Sequence, residues 1–76
     1  MSVDNNDSVL LVNMGLKIRK LREQSDLSEA QLGFEANLSR EAINMLENGK
    51  LNISILNLEQ IANTLNIAVH QLLMFD

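Results

Sequence analysis

The sequence predicts an all-α domain, an orthogonal bundle of five short helices. Apolar residues recur along the chain at the spacing of three and four that marks one face of a helix. Hydrophobic residues make up 46% of the chain, which has two phenylalanines and no Trp, Tyr or Pro, and this favours aliphatic helix packing over a sandwich or a barrel. A serine stands where four of the helices are expected to begin. The 76 residues fit one domain, and because cysteine is absent its stability must come from packing.

The first helix is expected from about Ser8 to Gln24. Residues 1–7, MSVDNND, are polar, so we expect a frayed start with Asp7 or Ser8 as the helix cap. The side of this helix that faces the core is predicted from the helical spacing of Leu10, Met14, Ile18 and Leu21.

The second helix is predicted to begin after Ser28, because Ser28 and Gln31 have the spacing of a capping box. It should bury Leu32 and close near Glu35. A turn over residues 36–38 follows, in which Asn37 is suited to a left-handed backbone.

Ser39 is expected to cap a third helix that ends at Asn48 and Gly49. This helix should bury Ala42, Ile43 and Leu46.

Ser54 is predicted to open a fourth helix that ends at Asn66. A last short helix from about Ala68 should present Val69, Leu72 and Leu73. The inner stripe of the fourth helix is predicted to be Leu58, Ile61, Ala62 and Leu65.

Residues 28–48 have the geometry of a helix-turn-helix, two short helices separated by a three-residue turn. The two helices approach closely only if a small residue lies at the fifth position counted from Glu29, and Gly33 lies there. The sharp turn needs a positive φ at the ninth position, which Asn37 tolerates. Apolar residues are required at four further positions, which are occupied by Leu32, Leu38, Ile43 and Leu46.

With these constraints met together, the chain from Met14 to Phe75 resembles the lambda-repressor-like helix-turn-helix proteins of the Cro/CI and Xre type. The resemblance is carried by the runs IRKLREQSDLSEAQLGFEANLSREAINMLENGK and NLEQIANTLNIAVHQLL. The words NIS, Asn52 to Ser54, and NLEQIA, Asn57 to Ala62, are also similar to the subgroup of restriction-modification controller proteins, which are small single-domain dimers. The resemblance implies that the third helix enters the major groove of DNA.

The resemblance places the base-reading positions on the exposed side of the third helix. The side-chain types suit base edges: Arg40 can bond guanine in a bidentate fork, Asn44 can pair with adenine, Glu41 can accept from cytosine, and Met45 can contact a thymine methyl group. The alternative for an isolated helix is a solvated face without a ligand. The candidate base-reading residues are therefore Ser39, Arg40, Glu41, Asn44 and Met45.

Two further assignments are implied by the family positions. Arg22 and Glu47 match a buried ion pair between the first helix and the recognition helix; the alternative is two independent surface charges.

Most members carry glutamine at the position of Glu29, where it holds a phosphate, so a carboxylate there should weaken the affinity for DNA. The remaining phosphate candidates are Lys17, Arg19, Asn48 and Lys50. With a formal net charge of -4, we expect modest non-specific DNA binding and a shallow salt dependence.

A homodimer is expected, because a two-fold pair of recognition helices can read a near-palindrome. Two surfaces are candidates for the contact. Val9, Val12 and Leu16 form an aliphatic stripe on the first helix, although scattered exposed aliphatic residues are common on protein surfaces. The usual dimer surface in the family is the C-terminal part, here with the candidates Val69, Leu72, Leu73 and Phe75.

The sequence contains no sign of an enzyme. There is no nucleophile and base pair, no phosphate-cradling glycine loop and no metal cluster, and His70 is expected to be an ordinary helix residue. No run is long and apolar enough for a membrane span, so we expect a cytoplasmic protein with no cofactor and no small-molecule substrate.

The expected function is a sequence-specific, homodimeric regulator that occupies an operator in double-stranded DNA and so blocks or recruits RNA polymerase. The alternative is a helix-turn-helix kept as a protein-interaction module, such as an antirepressor or an antitoxin, which the acidic balance, Glu29 and the aliphatic stripe favour.

Overall fold

The computed structural model describes residues 8–75, and the predicted frayed start and the candidate cap Asp7 lie outside them. Over this range the chain is all-helical, which confirms the predicted class. Its elements are the α-helices α1 (Val9–Gln24), α2 (Glu29–Ala36), α3 (Arg40–Glu47) and α4 (Ile55–Thr64), followed by a 3-10 helix (Val69–Leu73). None of the helices between residues 8 and 75 has the length and apolar character needed to cross a bilayer.

Serine side chains cap all four α-helices, as the sequence predicts. Each hydroxyl oxygen accepts a hydrogen bond from the backbone N–H three residues later, which satisfies one of the free donors of the first helical turn. The distances are 3.3 Å at Ser8, 3.0 Å at Ser28, 3.0 Å at Ser39 and 3.2 Å at Ser54. The Gln31 side chain also accepts from the Ser28 N–H at 2.7 Å, which completes the predicted capping box.

The turn between α2 and α3 is the predicted left-handed one. Asn37 has φ 62° and ψ 41°, and the N–H of Leu38 donates to the carbonyl of Gly33 at 2.8 Å. A Cβ added at Gly33 would lie 2.6 Å from the Leu38 carbonyl oxygen, so the turn can close only over a glycine.

The aliphatic core lies among the four α-helices and the 3-10 helix. The largest fully buried side chains come from all five elements: Ile18, Leu32, Ile43, Leu46, Ile61 and Leu72. The predicted inner stripe of α4 is buried as expected. Hydrophobic burial of this kind contributes about 1.5 to 3 kcal/mol for each large side chain, and it is the main source of stability for a chain without disulfide bonds.

The prediction for one residue of the core-facing side of α1, Leu10, is wrong. Leu10 is 54% exposed, and Leu11 packs against the core in its place. The buried face of α1 includes Gly15. A Cβ added at Gly15 would collide with the carbonyl of Leu46 and lie 2.7 Å from the Glu47 carbonyl oxygen. The backbone of α1 therefore packs directly on the C-terminal end of α3, and this contact decides the rotation of α1.

The C-terminal prediction also needs correction. The expected last short helix is present as a 3-10 helix, but it buries Leu72 completely while Leu73 is 40% exposed. Val69 is half-buried against the core. Leu72 is thus a core residue and is not available to a partner surface.

Candidate DNA interface

One face of α3 is anchored in the core and the other is exposed. Ile43 and Leu46 have 0% and 1% of their surface accessible, which fixes the helix against the bundle. The five candidate base-reading residues all lie on the open side: Ser39, Arg40, Glu41, Asn44 and Met45. The buried residues of α3 are Ile43, Leu46 and Glu47, which share one face through the 3.6-residue repeat.

Arg40 is the first residue of α3 and is exposed. Among residues 8–75 no hydrogen bond or salt bridge joins its guanidinium to another side chain. Its five N–H donors are therefore free for an external acceptor, and the planar fork of the side chain matches two acceptors side by side.

Asn44 is held by hydrogen bonds to its neighbours, and the sequence pattern did not predict them. Its amide Nδ2 donates to Oε2 of Glu29 at 3.2 Å, across the two helices of the motif. The Nδ2 of Asn48 donates to the Asn44 carbonyl at 2.8 Å and lies 3.4 Å from Asn44 Oδ1. The sequence signal for this contact is the carboxylate at position 29, where the resemblance predicts only a weaker phosphate contact.

The predicted ion pair between α1 and α3 is present. Arg22 Nε donates to Glu47 Oε2 at 2.7 Å and Nη2 donates to Oε1 at 3.1 Å, in a bidentate arrangement. Nη1 donates to the carbonyl of Leu27 at 2.8 Å. Glu47 is 4% exposed, and the Arg22 side chain is 12% exposed. This pair is part of the scaffold that holds α3, and neither side chain is free to bind DNA.

The pKa of Arg22 is raised above its ordinary value, because the side-chain hydrogen bonds to Glu47 stabilise the charged guanidinium more than burial disfavours it. A raised pKa contributes stability that is fully present below the ordinary arginine pKa and is lost only when the pH rises through the higher folded value. The pair is therefore not expected to titrate from the arginine side at any pH near neutral.

The four candidate phosphate-binding residues differ in exposure and in the contacts they already make. Lys50 is exposed just after the turn at Gly49, where φ is 72°. Asn48 is exposed but already bonded to Asn44. Arg19 Nε lies 3.4 Å from Glu23 Oε2, so its charge is partly neutralised. Lys17 lies beside a groove formed by α1 and the C-terminal segment.

That groove brings the two candidate dimer surfaces together. Leu16 of α1 and Phe75 at the C-terminus line it, and both are exposed. The other lining residues are Asn13, Lys17, Lys20 and Met74. Val9, at 73% exposure, and Val12, at 38%, are exposed as well. Val12 also lies against the turn after α3, since a Cβ added at Gly49 would lie 2.9 Å from Val12 Cγ2.

Over residues 8–75, no three His, Cys, Asp or Glu side chains lie close enough together to hold a metal ion.

A buried scaffold, a left-handed asparagine turn and a third helix with an open polar face define a helix-turn-helix DNA-binding transcriptional regulator. The chain belongs to the helix-turn-helix family, whose family model matches residues 18–72. This confirms the resemblance to the Cro/CI and Xre type.

The relatives are regulators. The chain is 39% identical over 62 residues to the control protein C.MunI of a Mycoplasma species, a match that covers 80% of this chain and 84% of that protein. It is similar to the crystal structure of the restriction-modification controller protein C.AhdI from Aeromonas hydrophila, with 34% identity, a TM-score of 0.79, and coverage of 82% of this chain and 94% of that one. It is also similar to SinR of Bacillus subtilis, the master regulator for biofilm formation, whose structure in complex with DNA matches at 29% identity and a TM-score of 0.74, over 80% of this chain and 98% of that one. These relatives are control proteins and transcription factors, not enzymes.

Proposed function

We propose that this protein is the controller of a restriction-modification system, which binds a near-palindromic operator as a homodimer and reads it by inserting α3 into the major groove. The observation that carries the proposal is the exposed face of α3, with four polar candidate residues and Met45, on a helix whose opposite face is fixed in the core. In this role it acts in the cytoplasm, where an occupied operator blocks or recruits RNA polymerase.

The relatives support the biological setting. C.MunI carries the name of a control protein, and C.AhdI that of a restriction-modification controller. Both match this chain over four fifths of its length or more, which includes the whole helix-turn-helix. The structure with DNA of SinR supports duplex DNA as the partner of this fold.

We propose that the two copies contact each other at the groove that is lined by Leu16 and Phe75. A surface that exposes several apolar side chains together is typical of a protein contact, whereas single exposed aliphatic residues are not. The proposal requires a two-fold axis through this contact that presents the two copies of α3 to one side of a duplex, about 34 to 36 Å apart, which is one helical turn of DNA.

Selection from a pool of random duplexes, followed by sequencing of the bound fraction, tests the function. We expect the wild-type protein to enrich one site made of two inverted half-sites, because each copy of α3 contacts the same bases. The Arg40→Ala variant serves as the matched control, since it keeps the scaffold and should enrich a less defined site. No retention of any duplex at low salt would contradict the proposal and favour the alternative, a protein-interaction module.

Leu16→Glu is expected to convert the dimer to a monomer, because it replaces an apolar side chain of the proposed contact with a charged one that must lose its hydration there. Sedimentation velocity at micromolar concentration measures the change. Leu10→Glu is the control: it introduces the same charge on the same helix at nearly the same exposure, 54% against 56%, but not in the groove. A dimer that survives Leu16→Glu, or a wild-type protein that is already monomeric, would refute this contact.

A further inference from the structure

The carboxylate of Glu29 holds the amide of Asn44 across the two helices of the motif. Asn44 Nδ2 donates to Glu29 Oε2 at 3.2 Å, and on the other side Asn48 Nδ2 lies 3.4 Å from Asn44 Oδ1. Asn48 is itself fixed by its 2.8 Å hydrogen bond to the backbone carbonyl of Asn44. Both ends of one exposed amide on the open face of α3 are therefore engaged by neighbouring side chains.

The charge of Glu29 determines which way the amide points. An ionised carboxylate accepts hydrogen bonds and donates none, so only the NH₂ end of Asn44 can face it. A glutamine at position 29 can present either an oxygen or an NH₂ group, and would accommodate both orientations of the asparagine amide. The amide of Asn48 acts in the same sense, because its NH₂ group favours the oxygen end of Asn44.

The held amide still has capacity for a base. An amide NH₂ has two hydrogens and an amide oxygen has two lone pairs, and the neighbours use one of each. One donor and one acceptor remain, in a fixed order. That combination matches the acceptor N7 and the donor N6 of adenine, and a reversed amide would present the opposite order to the same base edge.

We propose that Glu29 is a positioning residue that sets the base preference at one operator position by fixing the orientation of the Asn44 amide. This inference rests on the proposed function, in which α3 reads the operator. The carboxylate of Glu29 would then have two effects. Its negative charge is expected to weaken the overall affinity for DNA, while its hydrogen bond to Asn44 increases discrimination at one base pair.

The experiment compares the base preferences of Glu29→Ala, Glu29→Gln and Asn44→Ala by selection from random duplexes. Glu29→Ala and Asn44→Ala are expected to lose preference at the same base pair, by about ten-fold, which lies within the range of one bidentate base contact. Glu29→Gln is expected to admit a second base at that pair. Non-operator duplexes should bind Glu29→Ala no more weakly than the wild type, because a negative charge has been removed.

Glu35→Ala is the matched control. Glu35 is an exposed acid on the same helix, with no hydrogen bond to Asn44, so its removal changes the net charge equally but leaves the amide in place. The free protein provides a second readout, the mobility of the Asn44 side-chain amide in ¹⁵N relaxation. We expect this amide to become more mobile in Glu29→Ala and to stay restrained in Glu35→Ala.

The outcomes separate the two proposals. A wild-type protein that selects no duplex overturns the proposed function, and this inference with it. A wild-type protein that selects a site while Glu29→Ala keeps its preference at the Asn44 position, or loses preference equally at every position, overturns the inference alone. An Asn44 amide that is equally mobile in wild type and Glu29→Ala also overturns it.

Discussion

Glu47→Ala is expected to lower the free energy of unfolding by about 3 to 5 kcal/mol, the range for removing one partner of a buried ion pair. The Arg22 guanidinium would keep its bond to the Leu27 carbonyl but lose both bonds to Glu47, and only 12% of its side chain is exposed to water. The loss is large for a small domain, whose total stability is typically about 5 to 15 kcal/mol. Because a domain of this size loses about 4 to 8 °C in Tm for each kcal/mol, the melting temperature should fall by at least about 12 °C.

Urea unfolding followed by circular dichroism measures this effect, and Glu23→Ala is its control. Glu23 also lies within 4.0 Å of Arg22, but its side chain is 58% exposed, and such surface pairs contribute about 0 to 1 kcal/mol. Replacing both partners, by Arg22→Met with Glu47→Leu, should recover much of the loss, because no unpaired charge is left in the contact. An unchanged free energy of unfolding in Glu47→Ala would show that the ion pair does not hold α3.

Arg40→Ala is expected to weaken operator binding by about 1 to 3 kcal/mol, roughly a 5- to 150-fold rise in Kd, and to relax the preference at one base position of each half-site. The guanidinium begins the open face of α3 and has no partner among the described side chains, so no internal contact must be broken before it binds. Two parallel hydrogen bonds to O6 and N7 of a guanine are the specific contact that its geometry favours. The fold should be unaffected, because the side chain is exposed.

Fluorescence anisotropy with the selected operator, and with single-base variants of it, measures both effects. Lys50→Ala is the control, since a lysine just beyond α3 is a phosphate candidate and not a base reader. It should weaken binding to all sequences about equally and reduce the salt slope by about one unit. If Arg40→Ala behaves in that uniform way instead, Arg40 positions the backbone and does not read a base.

Local chemistry was readable from the sequence because each signal acts over a few residues. A serine satisfies an N–H three residues later, and this is enough to mark the start of each α-helix. Asn37 adopts the left-handed turn and Gly33 allows the close approach that the motif requires. These short-range rules located α2, the turn and α3.

Contacts between distant segments were less accessible. The rotation of α1 follows from the packing of Gly15 on the end of α3, which exposes Leu10 and turns Leu11 inward. Leu72 and Leu73 are both candidate dimer residues in the sequence, but the 3-10 helix buries Leu72 in the core and leaves only Leu73 exposed.

By itself, the sequence determined the class of fold and the helix-turn-helix, since these depend on periodicity, caps and one turn, and its resemblance to a known family placed the candidate base-reading residues on α3. Only the tertiary structure decided that Leu16 and Phe75 share one groove, and that Glu29 holds Asn44. Those pairs are far apart in the chain, and whether two such side chains meet depends on how the helices rotate and pack. No local spacing rule records that rotation, because it is set by contacts between helices that are far apart in the sequence.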